Sequence, residues 1–245
     1  VIRTVVDIGA STLSAVAVRD GKLYVLRLDQ PQLLSYQLPC NPQCGAATVV
    51  AGTGLTGFSG DGGLATSARF FTPRAFDFGA DGSIYILDTG NNCLRKVDTS
   101  GVITLVAGRG TSTADGQPAL GTRFQSPFGL AVAANSDIYI ADTVANRVRR
   151  LRDGILTTVL GNGSAAQLSD PTFPCVWGRP TAHCTTDQLQ LPFTPTSLAL
   201  SLDEQTLYAG SAADQYVVTV DLAAAPPPPT VTSTLPVTSK RSSVY

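Results

Sequence analysis

The sequence predicts an all-β protein, a β-propeller built from four-stranded antiparallel blades. Three observations support this fold class: one segment repeats within the chain, short apolar strands alternate with turns, and amphipathic stretches of helical length are scarce. The chain has 245 residues, of which 23 are Gly and 16 are Pro, the residues that mark turns. With 43% hydrophobic residues it can bury the core of one sizeable domain.

The internal repeat is the strongest of these observations. Residues 73–97 align without gaps on residues 127–151, and nine of the twenty-five positions are identical. The matching pairs include Tyr85 and Tyr139, Asp88 and Asp142, Asn92 and Asn146, Arg95 and Arg149, and, upstream at the same offset, Asp61 and Asp115, and Arg69 and Arg123. Self-similarity at a fixed offset indicates a duplicated structural unit.

Fainter copies flank these two and bring the number of visible units to four. In each copy a small-apolar strand and a turn precede a strand that carries a tyrosine, at Tyr24, Tyr85, Tyr139 and Tyr208. We therefore expect a propeller over residues 1–222, with units near 10–52, 53–108, 109–163 and 192–222 and an insertion at 164–191.

Each unit reads as four short strands joined by hairpin turns. In the third unit the strands are predicted at 129–133, 137–141, 147–151 and 155–160. Such a meander has two apolar faces and cannot cover both of them by itself. Several meanders packed around a common axis cover one another, and this arrangement is a β-propeller.

The repeated residues also resemble a known family. IYILDTGNNCLRKVDTSGVITLVAG and IYIADTVANRVRRLRDGILTTVLGNG resemble NHL repeats, and VAGTGLTGFSGDGGLATSARFFTPRAFDF resembles the loop that often precedes such a repeat. The resemblance implies a propeller, usually six-bladed, that serves mainly as a binding platform. Because the sequence contains no Met, we expect its N-terminus to have been cut, either by processing, by deliberate truncation, or because the natural start lies upstream. Either two further blades precede this sequence, or residues 3–9 close a smaller ring beside residues 216–221.

The composition changes abruptly near the end of the sequence. Residues 223–245 contain four successive prolines at 226–229 and a run rich in Ser and Thr. Successive prolines favour an extended polyproline II spacer, and this composition is also typical of an O-glycosylated stalk. We expect a tether that leads to a membrane anchor outside this sequence.

The cysteines predict an oxidising compartment. Two close pairs are expected to form local disulfides, Cys40 with Cys44 and Cys175 with Cys184. Zinc is the alternative for such pairs, but a sequence with one His cannot supply the common His-containing sites, so no metal is expected. Cys93 has no His in its repeat and is expected to be a small buried hydrophobe.

Two further features point to the cell surface. Asn162 begins an N-glycosylation sequon at the end of a blade, where a loop is expected. The insertion after it is expected to form a rigid, partly aromatic projection, with a composition that is enriched at interaction hot spots. Its candidate partner-binding residues are Phe173, Trp177, Arg179 and His183. The alternative is that Trp177 folds back onto the propeller.

Several motifs are better explained by structure than by chemistry. The glycines of residues 57–63 lack the Lys of a phosphate loop and the carboxylates of a calcium loop, so we interpret them as a turn between blades. Residues 5–18 resemble a phosphate motif of sugar kinases, but its companion motifs are absent. Asp88 and Asp142 are expected to accept hydrogen bonds from turn amides, a structural role that needs no ligand. We predict no catalytic residue, no cofactor and no enzymatic activity.

The charge pattern disfavours nucleic acid as a partner. The sequence has 17 Lys and Arg against 18 Asp and Glu, so it has no overall field to attract phosphates. Its basic cluster consists of Arg147, Arg149, Arg150 and Arg152. Alternation along a strand is expected to divide this cluster between the two faces of the blade.

Together these observations predict an extracellular or cell-surface adhesion propeller that recognises a partner glycoprotein through its blade-end loops. Among stalked NHL surface proteins, the sequence is similar to the flagellum-adhesion glycoproteins of trypanosomatids. That resemblance implies a location at the flagellar membrane or flagellum attachment region, with the membrane reached only through an anchor. The alternatives are a secreted lyase-like or hydrolase-like propeller and an RNA-binding NHL domain.

Overall fold

The computed structural model describes residues 12–39, 45–161, 163, 194–211, 216–222 and 231–233. Its strands form four antiparallel sheets. The first two sheets, blades 1 and 2, consist of β1 (Leu13–Arg19), β2 (Lys22–Arg27), β3 (Gln32–Gln37) and β4 (Thr48–Ala51), followed by β5 (Ala75–Phe78), β6 (Ile84–Asp88), β7 (Cys93–Val97) and β8 (Ile103–Gly108).

Blade 3 has a fifth, two-residue strand at its outer edge, and blade 4 again has four strands. The strands of these blades are β9 (Gln117–Pro118), β10 (Pro127–Val132), β11 (Ile138–Asp142), β12 (Arg147–Arg152), β13 (Ile155–Leu160), β14 (Ser197–Leu200), β15 (Thr206–Ser211), β16 (Tyr216–Asp221) and β17 (Val231–Ser233). The strands of the third unit lie within two residues of their predicted bounds.

The four sheets are arranged as the blades of a β-propeller, which confirms the predicted fold class. The first strand of each blade contacts the first strand of the next, so β1, β5, β10 and β14 line up in sequence order. In the described residues the helical segments are three single 3-10 turns, at Ala65–Ser67, Thr89–Asn91 and Ala119–Gly121. No helix among these residues is long and apolar enough to cross a bilayer.

Side chains from neighbouring blades form one apolar layer at each junction. Leu26, Phe70 and Ile86 belong to the layer between blades 1 and 2. Leu87, Phe124 and Ile140 lie between blades 2 and 3, while Tyr139, Val148 and Leu207 lie between blades 3 and 4. Each middle blade therefore buries both of its faces, as the two-faced apolar pattern of the repeats predicts.

The face of blade 1 that points away from blade 2 is also apolar. Val25, Leu34 and Tyr36 form a small cluster there. Val16 and Val18, from the adjoining strand β1, are 61% and 64% exposed. Among the described residues no apolar cluster joins this face to blade 4.

Strand β17 completes blade 4 with residues from the segment that was expected to be a stalk. It pairs in antiparallel fashion with β16, with Val220 opposite Val231 and Val218 opposite Ser233. Residues 3–9, which were the alternative partner for this edge, lie outside the described residues. The edge of β16 is thus occupied by a strand from downstream.

A glycine ends the fourth strand in blades 1 to 3 and brings two loops into contact. Gly108 has a φ of +90°, and a Cβ there would lie 2.3 Å from the carbonyl oxygen of Asn92. Gly52 and Gly161 have the same positive φ and equally close approaches to the corresponding loops of their own blades. Only glycine fits such a position, because both the backbone angle and the space exclude a side chain.

Candidate functional site

The loops that carry the candidate site emerge at one end of the blades. Because the strands of a meander alternate in direction, the connection from the second to the third strand and the connection from the fourth strand to the next blade meet at the same edge. We call this edge the loop face. In the described residues it includes the loops at 89–92 and 143–146 and parts of the long connections 53–74 and 109–126.

Arg95 fixes the connection that precedes blade 2. Its side chain is fully buried and pairs with Asp61 at 3.0 Å and, more distantly, with Asp88 at 3.7 Å. It also donates hydrogen bonds to the carbonyl oxygens of Ser59 and Arg69, at 2.7 and 2.8 Å. The long connection is therefore tied to the third strand of the blade by a charged group with several partners.

Arg149 is the copy of this arrangement in blade 3, with fewer contacts. Its guanidinium pairs with Asp115 at 3.0 Å and donates to the carbonyl oxygen of Ala114 at 3.3 Å. Asp115 is about half exposed, and Nε of Arg149 is buried without a hydrogen-bond partner. The ion pair is therefore repeated in blade 3, but the connection that precedes blade 3 is fixed by fewer contacts than the connection that precedes blade 2.

Asp88 and Asp142 have the structural role that the sequence predicts. Each accepts a hydrogen bond from a backbone amide of the preceding connection, Asp88 from Phe71 at 2.8 Å and Asp142 from Gln125 at 2.6 Å. Both amides lie in bends 17 residues upstream, so the predicted role as acceptors for turn amides is confirmed. Burial raises the pKa of each carboxyl to about 6.

Two asparagines link blade 2 to blade 3 and blade 3 to blade 4. Asn92 and Asn146 both adopt left-handed backbone angles, with φ of 53° and 52°. The side-chain oxygen of Asn92 accepts the amide of Ser126 at 2.8 Å, and that of Asn146 accepts the hydroxyl of Thr194 at 3.0 Å. These bonds hold the loop face together across the blade junctions.

A polar pocket of about 270 Å³ opens on the loop face where the connection after blade 2 meets the loop of that blade. The residues that line it are Asn91, Asn92, Arg109, Gly110, Thr111 and Arg123. The guanidinium of Arg109 stacks 3.9 Å from the centre of the Phe58 ring. Neither Arg109 nor Arg123 forms a side-chain hydrogen bond or ion pair with any described residue.

Exposed apolar side chains also occur on the loop face. Leu55 is 56% exposed, Phe71 is 45% exposed, and Val144 is 58% exposed. Phe71 adjoins the loop of blade 2 through a backbone bond from Gly90, and Val144 adjoins Gln125 in the same way. The face therefore combines exposed apolar groups with unpaired cations.

The site residues predicted from the sequence belong to segments that the structure does not describe. Five of them are the paired cysteines and the sequon asparagine: Cys40, Cys44, Cys175, Cys184 and Asn162. The other four are the insertion residues Phe173, Trp177, Arg179 and His183. All nine fall outside the described residues, so their pairing, modification and contacts stay predictions.

The remaining sequence predictions concern Cys93, the basic cluster and the glycine loop. Cys93 is buried, as predicted, and burial raises the pKa of its thiol. The basic cluster is divided, as predicted: Arg149 turns toward Asp115, whereas Arg152 pairs with Asp137. In the glycine loop, Gly57, Gly60 and Gly62 all have positive φ, as expected for a turn. No group of three or more potential metal ligands occurs among the described residues.

The pocket was not foreseen from the sequence. Arg123 has an identical counterpart in the repeat at Arg69, but Arg109 corresponds to Leu55, so the repeat does not mark the pair. Arg109 and Arg123 come together only because the two ends of one connection are pressed together. A Cβ on Gly110 would lie 2.1 Å from the backbone of Gly121.

Comparison with solved structures shows the fold. A catalytically inactive virginiamycin B lyase from Staphylococcus aureus, solved with quinupristin, matches with a TM-score of 0.56 and 13% identity over 97% of this chain and 60% of that one. A gluconolactonase from Xanthomonas campestris matches with a TM-score of 0.53 and 18% identity, covering 86% of this chain and 58% of that one. An auxiliary nutrient binding protein from Bacteroides ovatus matches with a TM-score of 0.51 and 20% identity, covering 89% and 46%.

These matches confirm the propeller and correct one prediction. The chain spans about half to three fifths of the length of these structures. Two of the three are named as enzymes, which contradicts the prediction, drawn from the lack of a positioned acid, base or nucleophile in the sequence, that this chain has no enzymatic activity. No protein-family model and no curated protein matches the sequence. Membership of the NHL family and similarity to flagellum-adhesion glycoproteins stay predictions.

Proposed function

We propose that this chain is a cell-surface propeller that adheres to a partner glycoprotein through its loop face. The observation that carries the proposal is the combination of exposed apolar side chains and unpaired guanidinium groups on one face. Leu55, Phe71 and Val144 supply the apolar surface, and Arg109 and Arg123 supply the cations. Aromatic and arginine side chains are enriched at the centres of protein interfaces.

The framework beneath this face supports a binding role. The buried ion pairs of Arg95 and Arg149 and the bridging bonds of Asn92 and Asn146 fix the loops before any partner arrives. A surface that is already ordered loses less conformational entropy when it binds. Loops on a stable scaffold are a common place for recognition.

The proposed location rests on the sequence. Paired cysteines, the sequon at Asn162 and a Pro-, Ser- and Thr-rich segment are all typical of extracellular proteins. We include in the proposal a membrane anchor outside this sequence and a position at the flagellar membrane or attachment region. Among the similar structures, the auxiliary nutrient binding protein is named for a binding role and not for an enzymatic one.

The experiment measures binding of the fluorescently labelled chain to cells that express it. A loop-face variant carries Leu55→Ser, Phe71→Ser and Val144→Ser. A control variant carries the same change at Leu64, Leu120 and Ile155, which are 61%, 56% and 38% exposed and lie toward the opposite end of the blades. Circular dichroism and thermal melting verify that both variants remain folded.

We expect the loop-face variant to lose at least tenfold in apparent affinity while the control binds like the original chain. Pretreatment of the cells with a protease should abolish binding, because the partner is a protein. Equal binding by the two variants would overturn the proposal, as would binding that survives protease treatment.

A further inference from the structure

We infer that the pocket lined by Arg109 and Arg123 binds a single carboxylate group carried by the partner. This inference rests on the proposed function, and it names the chemistry of one contact within the loop face. The carboxylate is supplied either by an acidic sugar of the partner's glycan or by an acidic side chain of its protein. Both sources present the same planar anion.

The pocket contains donors that no described residue uses. The guanidinium groups of Arg109 and Arg123 have no hydrogen-bonding partner in the described part of the chain. The side-chain oxygen of Asn92 is occupied by the amide of Ser126, which leaves its amide nitrogen free to donate to a ligand. Guanidinium groups match the planar geometry of a carboxylate and form its strongest hydrogen bonds.

The neighbouring structure holds these donors in place. The ring of Phe58 lies between two guanidinium groups, 3.9 Å from that of Arg109 and 4.9 Å from that of the buried Arg95. The rim is firm because the amide of Gly110 donates to the carbonyl of Thr122 at 2.7 Å. Arg109 is therefore fixed by stacking before a ligand binds, which reduces the entropy lost on binding.

Three acidic residues of blade 2 and of the connections before blades 2 and 3 are already engaged by buried arginines. Asp88 accepts a hydrogen bond from Asn91 and lies 3.7 Å from the guanidinium of Arg95, which also pairs with Asp61. Asp115, further along the connection, pairs with Arg149. The lining of the pocket itself contains two guanidinium groups and no carboxylate, although the whole sequence carries a formal net charge of −1.

The size of the pocket favours one small group over an extended polymer. At about 270 Å³ it is smaller than the pockets that enclose drug-sized ligands. A nucleic acid would need a longer track of cations, and Arg149 and Arg152, which such a track would use, are committed to Asp115 and Asp137. One monosaccharide or one acidic side chain fits the volume.

The test is isothermal titration calorimetry of the full 245-residue chain with glucuronate, N-acetylneuraminate and N-acetylglutamate, with glucose as the neutral probe. The variants are Arg109→Gln and Arg123→Gln. The matched control is Arg69→Gln, since Arg69 occupies the same repeat position as Arg123 and is exposed but does not line the pocket.

We expect at least one carboxylate to bind and glucose not to bind. Affinity should fall at least tenfold in each pocket variant, stay unchanged in Arg69→Gln, and weaken as salt is added. Preference for the two sugar acids identifies a glycan as the source, and preference for N-acetylglutamate identifies a side chain. The inference is overturned if no carboxylate binds, or if Arg69→Gln weakens binding as much as the pocket variants.

Failure of this inference can be distinguished from failure of the proposed function. If no carboxylate binds but the serine variant of the loop face still loses its affinity for cells, only the pocket inference fails. If carboxylates bind the pocket while the serine variant adheres normally, the proposed adhesion through the loop face fails instead.

Discussion

The two buried arginines allow a quantitative test of how the loops are held. We compare Arg95→Met with Arg149→Met, because methionine fills much of the same volume without a charge. Loss of Arg95 leaves Asp88, which is fully buried, and Asp61, which is 27% exposed, without their cation. Breaking a buried pair in this way costs about 3–5 kcal/mol of the free energy of unfolding.

The same change at Arg149 should cost much less. Its partner Asp115 is 49% exposed and can be hydrated when the arginine is removed, so the lost pair is worth only about 0–1 kcal/mol. Its Nε is buried without a partner, a cost that the substitution removes. We expect Arg149→Met to lose about 0–1 kcal/mol, at least ~2 kcal/mol less than Arg95→Met.

The assay is equilibrium unfolding in urea, with the slope of the transition checked for constancy between variants. Binding of the carboxylate probes is measured alongside, because loss of Arg95 also frees the loop that carries Phe58. Equal destabilisation by the two substitutions would refute the reasoning, and so would a loss below about 1 kcal/mol for Arg95→Met.

Three further outcomes are expected. Gly108→Ala should destabilise the protein by at least ~2 kcal/mol more than Gly101→Ala in urea unfolding, because both have positive φ but only Gly108 abuts the backbone of Asn92; equal losses would contradict this. Because burial raises the pKa of Asp142 to about 6 from an ordinary 3.8, the stability this group contributes is complete below about pH 4 and is lost as pH rises through 6. Between pH 4 and pH 7 the original chain should thus lose roughly 3 kcal/mol relative to Asp142→Asn, and parallel pH profiles would show the reasoning to be wrong. Cys93 should resist iodoacetamide until the chain unfolds, as read by mass spectrometry of its peptide, and rapid labelling of the native protein would disprove its burial.

The repeat made the fold predictable because it preserved the core. Tyr85 and Tyr139 both lie in second strands, each packed into a junction between blades, and their identity in the sequence reflects that shared environment. Strand β17 could not be predicted, because three residues that follow a run of prolines carry too short a pattern to distinguish a strand from a spacer. Pairing with an existing edge, rather than local preference, makes this segment a strand.

The site was less predictable than the fold for a physical reason. The recurring pairs of Arg95 with Asp61 and Arg149 with Asp115 did leave a signal, since opposite charges repeat at the same offset. The pocket left none, because it depends on the path of one long connection and on the contact between Gly110 and Gly121. The fold that positions the loops determines which loop residues lie close together, and the sequence around each residue does not predict it.

The two middle blades differ most where they face solvent. Beneath the surface both keep the same aspartate, arginine and asparagine framework, including the acceptors that fix the preceding connection. On the loop face, the positions of Leu55, Phe71 and Gly90 in one copy are taken by Arg109, Gln125 and Val144 in the other.

This division connects the duplication to the proposed binding role. The duplicated framework fixes the position and orientation of the loops in both blades, so its charged and hydrogen-bonded residues repeat. The residues that the loops present need only suit what they contact, so they differ from blade to blade. A cation at Arg109 beside an apolar group at Val144 forms an uneven surface, and an uneven surface can select one partner and one orientation where four identical blade ends could not.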